Sequence, residues 1–107
     1  MTGKYHARKV TDGGFTFDSQ AEHRRWRELV LLEQAGEISH LEVHPVFPLL
    51  VNGVNVGKYV GDFQFTDANG RRVTEDVKSG PTKTPVYRLK KKLMWACHQI
   101  DIVEVAA

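Results

Sequence analysis

The chain has 107 residues, 41% of them hydrophobic and 26% charged, with a formal net charge of +2. This is ordinary globular composition, and the length fits a single domain over residues 1–107 with a modest core. The lone cysteine, Cys97, excludes an internal disulfide. No apolar run approaches the roughly 18 residues of a membrane span, and the opening MTGKYHARKV lacks the apolar core of a signal peptide. The expectation is a protein of the cytoplasm with no membrane contact.

In chain order, VTDGGFTF carries an Asp-Gly-Gly turn between β-prone runs and predicts a small hairpin. The first helix follows in FDSQAEHRRWRELVLLEQAGEI, with Ser19 as N-cap, apolar positions at Trp26, Leu29, Val30 and Leu32, and Gly36 as the stop. HLEVHPVFPLLV reads as one strand, edge or bulged because Pro45 and Pro48 interrupt it. NGVN turns into a second strand, VGKYVGDFQFT, and DANG turns into a third, RRVTEDVK. After the loop SGPTKTP comes a second helix, VYRLKKKLMWACH, with Val86, Leu89, Leu93 and Ala96 at helical spacing. IDIVEV closes the chain as a strand. The order helix, three strands, helix, strand predicts a mixed α/β fold, one sheet with helices packed on it.

The hairpin formed by the second and third strands poses a chemical question. Tyr59, Phe63 and Phe65 share one face of the second strand, leaving Asp62 and Gln64 on the other. In the third strand Val73, Glu75 and Val77 oppose Thr74, Asp76 and Lys78. The apolar sets must meet on one side, so the carboxylates meet on the other. A three-residue loop, Ala68-Asn69-Gly70, keeps the faces consistent and sets Asp62 opposite Asp76. Two like charges directly across a ladder are destabilising. A proton, a hard cation such as Mg²⁺ or Mn²⁺, or Lys78 relieves them. A solvated ion pair between Lys78 and the aspartates is the competing reading. Glu22 likewise has two readings. SQAE matches a Ser-x-x-Glu capping box, yet Glu22, Trp26 and Leu29 form one stripe that points Glu22 inward.

Basic residues flank these acids. No acidic residue occurs from Ser79 to Ile100, whereas Lys83, Arg88, Lys90, Lys91 and Lys92 do. Lys4, Arg8 and Lys9 lie in an acid-free N-terminus, and His23, Arg24, Arg25 and Arg27 cluster on the first helix. Each patch alone reads as solvated surface; together, around carboxylates, they suggest a phosphate-bearing partner.

In this order the residues resemble the PD-(D/E)xK nuclease superfamily, with a restriction-endonuclease-like core. The first motif reads Gly61-Asp62 and the second Asp76-Val77-Lys78. FDSQAE, YVGDF and EDVKSG more closely resemble blocks of small phage-encoded proteins related to resolvase-like endonucleases, from Lys4 to Val105. Gly61 stands where the superfamily usually has proline, and Ser79 where glycine often follows the lysine. The resemblance implies Asp62, Asp76, the Val77 carbonyl and Glu22 as metal ligands and Lys78 as the catalytic lysine. The implied cofactor is Mg²⁺ or Mn²⁺. The implied activity is divalent-metal-dependent cleavage of DNA, including branched DNA such as Holliday junctions. Lys83, Arg88, Lys91, Lys92 and Arg25 would hold backbone phosphates, and symmetric cutting of two strands would call for a homodimer. The alternatives are a non-catalytic nucleic-acid-binding or assembly protein with the same fold, and an RNA-directed nuclease. His6, His23, His40, His44 and His98 show no clean zinc spacing. Cys97 has no evident partner base, and Trp26 and Trp95 are expected to pack rather than stack on bases.

Overall fold

The computed structural model describes residues 8–107. Lys4 and His6 therefore lie outside the described residues. A hairpin of β1 (Val10–Asp12) and β2 (Phe15–Phe17) comes first. Its two-residue turn, Gly13-Gly14, has φ of +58° and +84°, the left-handed pair that a type I′ turn requires. Helix α1 spans Gln20–Gln34. Ser19 caps it, its hydroxyl accepting from the Glu22 amide at 3.1 Å, as the sequence pattern predicts.

Five strands follow: β3 (Ser39–Val43), β4 (Val46–Val51), β5 (Val54–Val60), β6 (Phe63–Thr66) and β7 (Arg72–Lys78). Helix α2 (Pro85–His98), capped by Thr84, leads to β8 (Val103–Ala106). The main sheet has the order β3-β6-β7-β8. Strands β3, β6 and β7 are antiparallel, whereas β7 and β8 are parallel and joined by α2. The fold is thus mixed α/β with a mixed sheet. Strands β4 and β5 form a separate two-stranded ribbon.

That ribbon corrects the expected strand count, because each of the first two expected strands is broken in two. The first breaks at His44-Pro45, where Pro45 has no amide to donate and His44 takes φ +54°. The second breaks at Gly61-Asp62. A Cβ on Gly61 would lie 3.3 Å from the Tyr59 ring and 3.4 Å from Pro45, so a side chain there would crowd the crossing. The two breaks are stitched together by backbone bonds, His44 N to Asp62 O and Gly61 N to Pro45 O, both 2.9 Å.

The breaks also divide the core. Phe17, Leu29, Ile38, Phe63 and Phe65 pack together, with Trp26, Val73 and Val77 against them. Leu49, Tyr59, Tyr87, Met94 and Ile102 form a second cluster. Tyr59 therefore does not share a core with Phe63 and Phe65. Helix α2 also departs from the expected stripe. Val86 and Leu89 are exposed, while Tyr87 and Met94 are buried. Anchoring the Tyr87 hydroxyl to Glu104 at 2.7 Å turns the helix this way. Trp95, expected to pack, is 60% exposed. Among the described residues, no helix is long and apolar enough to cross a membrane.

Candidate metal centre and cationic groove

The β6–β7 hairpin has the register the alternating faces require. Gln64 pairs with Thr74 and Thr66 with Arg72. Gly70 sits at φ +80° and donates to Asp67 O at 3.0 Å, while Asp67 N reaches Arg71 O at 2.8 Å. This is the bulged three-residue loop. Phe63 faces Glu75, so one further step puts Asp62 beside Asp76. There the ladder ends. The Asp62 amide donates to Glu75 O at 3.1 Å, and its carboxylate Oδ2 accepts from the Val77 amide at 2.7 Å.

Asp62 thereby sits between two groups. On one side is Asp76, 4% exposed, which accepts a short hydrogen bond from the Tyr59 hydroxyl. Lys78 Nζ lies 3.8 Å from Asp76 Oδ1 and 4.2 Å from the centre of the Tyr87 ring. On the other side is Glu22, 3% exposed at the first turn of α1. Both readings of Glu22 hold in part. Its Oε2 accepts from the amide of Asp18, just before the N-cap, at 3.3 Å, while Oε1 turns inward to His44 Nε2 at 2.8 Å.

His44 is the residue that sequence reasoning missed. One ligand atom each from Glu22, His44 and Asp62 lies within 4.8 Å of the others. Pro45 signalled a strand break, but only the tertiary crossing brings an imidazole at that break to Glu22. His40, four residues earlier, is exposed and bonded to Ser39, so the two histidines do not form a pair.

Burial pushes the Asp62 carboxyl up to about 9, reinforced by its hydrogen bond with Asp76 and by the charges of Asp76 and Glu22, against the Val77 amide. Burial and the Asp76 charge also raise Tyr59, which stays a neutral hydroxyl donor. Hard oxygens crowded beside an imidazole, with a proton needed to relieve them, are a donor set that fits a divalent cation.

Arg25 is drawn elsewhere. Its guanidinium makes a bidentate pair with Glu75, at 2.9 and 2.7 Å, on the apolar face of β7. Glu75 is 3% exposed and stays out of the aspartate cluster. The other expected phosphate contacts, Lys83, Arg88, Lys91 and Lys92, line an open groove of about 560 Å³ along α2, together with Tyr87, Trp95 and two acids, Asp101 and Glu104. Lys83 and Lys91 hold Glu104 at 3.0 and 3.2 Å. The Tyr87 and Lys83 hydrogen bonds bring Glu104 down to about 2. Tyr87 belongs to both regions: it lines the groove and carries Lys78 over its ring.

A family model described as "Protein of unknown function (DUF1064)" matches residues 2–102, nearly the whole length, and the chain belongs to that family. No curated protein and no solved structure matches it.

Proposed function

We propose that this member of the DUF1064 family is a divalent-metal-dependent endonuclease acting on DNA. The observation that carries the reading is convergence. Asp62 from the β5–β6 break lies between Glu22 of α1 and Asp76 of β7, with Lys78 beside Asp76, next to a groove lined by basic residues. Asp62, Asp76 and the Val77 carbonyl would hold Mg²⁺ or Mn²⁺, with Glu22 completing the set. Bound there, the cation supplies Lewis acidity toward a phosphodiester oxygen and acidifies a water. Tyr59 fixes the orientation of Asp76. Lys78, restrained by Asp76 and Tyr87, orients the attacking water or neutralises charge developing on the phosphate. Arg88, Lys91 and Lys92 hold backbone phosphates without reading sequence. Lys83 adds a further contact at the groove's edge. A homodimer accompanies this reading, supported by exposed apolar residues on α2 and the β4–β5 ribbon: Val86, Leu89, Val54 and Val56.

The test is incubation of the protein with a labelled four-way junction and a matched linear duplex, in Mg²⁺ and in chelator, beside Lys78→Ala. We expect Mg²⁺-dependent cutting that falls at least about 10²-fold in the variant, with DNA binding in Ca²⁺ retained. Stronger cutting of the junction points to branched substrates. Binding without cutting in any metal overturns the nuclease reading in favour of a non-catalytic nucleic-acid-binding protein. Cutting of RNA alone reassigns the substrate.

A further inference from the structure

We propose that His44, Glu22 and Asp62 form a mixed nitrogen–oxygen site that takes a divalent transition-metal ion, Mn²⁺ in preference to Mg²⁺. The inference deepens the cation site of the proposed nuclease and rests on that site alone, not on catalysis. Its basis is geometric. Ligand atoms from α1, the β3–β4 break and the β5–β6 break already lie within 4.8 Å of one another. A cation with bonds of about 2.1 Å at right angles would draw them to roughly 3 Å apart. The Glu22–His44 contact, at 2.8 Å, is already at that spacing.

The backbone prepares the imidazole. His44 holds φ +54°, a left-handed conformation that is unfavourable for a non-glycine residue. The His44 amide donates to the carbonyl of Asp62, the residue with which His44 would share the ion. Phe17, fully buried, lies 6.0 Å from the imidazole centre and limits its rotation. The Glu22 side chain is 4% exposed and that of His44 33%. Glu22 is therefore enclosed and His44 partly open to solvent, from which water or substrate can complete the coordination. An all-oxygen set suits Mg²⁺, whereas an imidazole nitrogen shifts preference toward transition metals.

Mn²⁺ and Mg²⁺ titrations by calorimetry test this, together with the pulsed-EPR spectrum of bound Mn²⁺. We expect ¹⁴N coupling to Mn²⁺ in the wild type, absent in His44→Ala. That variant should lose at least about tenfold in Mn²⁺ affinity while Mg²⁺ affinity changes less than about threefold. His44→Gln, which keeps a hydrogen-bonding group beside Glu22, serves as the folded control, checked by its metal-free Tm. Mn²⁺ bound with no nitrogen coupling overturns the inference and leaves His44 as a positioning partner of Glu22. Nitrogen coupling in a protein that cuts no nucleic acid upholds the site and removes the nuclease reading. Cutting in Mg²⁺ without nitrogen coupling does the reverse.

Discussion

The carboxylate cluster and the α2 groove are neighbours built on opposite physical plans. In the cluster, Glu22 and Asp76 are almost fully buried, and each is hydrogen-bonded to a side chain from another element. In the groove, Trp95 is exposed, and Lys83 and Lys91, each about one-third exposed, share one partly exposed Glu104. The difference teaches where each region's free energy comes from. At low dielectric the protonation of Asp62 and any bound cation are coupled to folding. Exposed charges are screened, so substitutions in the groove should have little effect on stability.

The largest expected effect tests the first half of that contrast. Asp62 is raised from its ordinary 3.8 to about 9, so across that window the folded metal-free protein binds a proton that the unfolded chain has released. Its stability is fullest below about pH 4 with respect to this group. It is lost as pH rises toward 9, by up to about 1.4 kcal/mol per pH unit. Urea melts in chelator across pH 5–9 should show this slope, and Asp62→Asn should lack it. Mn²⁺ should displace the proton and stabilise the protein more at pH 8 than at pH 6. Equal slopes in wild type and variant would mean that Asp62 is not the coupled group.

Next in size is the buried pair behind the site. Arg25→Ala leaves Glu75 without its cation and should cost about 3–5 kcal/mol in denaturant unfolding. The double replacement of Arg25 and Glu75 by leucine should recover much of that loss. A stable Arg25→Ala protein with weakened DNA binding would return Arg25 to the phosphate-contacting role its sequence neighbourhood suggested.

The smallest effects belong to the groove. Lys92→Ala should reduce the salt dependence of duplex binding by about 0.9 in log–log slope, with Tm nearly unchanged. Trp95→Ala should weaken binding of an unpaired strand by about 1–3 kcal/mol, recovered by Trp95→Phe, if a base stacks on the indole. Loss of Tm in either variant would show the groove to be part of the fold rather than a screened surface.

Much of this was legible before any tertiary contact was known, because it depends on local rules. The Ser19 cap, the Gly13-Gly14 turn and the Gly70 loop follow from φ requirements and short hydrogen bonds. Alternation along 63–66 and 72–78 set the hairpin register, and with it the meeting of Asp62 and Asp76. What only the tertiary structure decided depends on crossings between distant segments. Two strand breaks meet and lock through His44 and Gly61, which aims an imidazole at Glu22. Arg25 finds a buried carboxylate fifty residues away. Helix α2 rotates to seat Tyr87 on Glu104 and leaves Trp95 facing solvent. Local sequence determines conformation through torsions and periodicity, but which buried charge meets which partner is settled only when the packed elements come together.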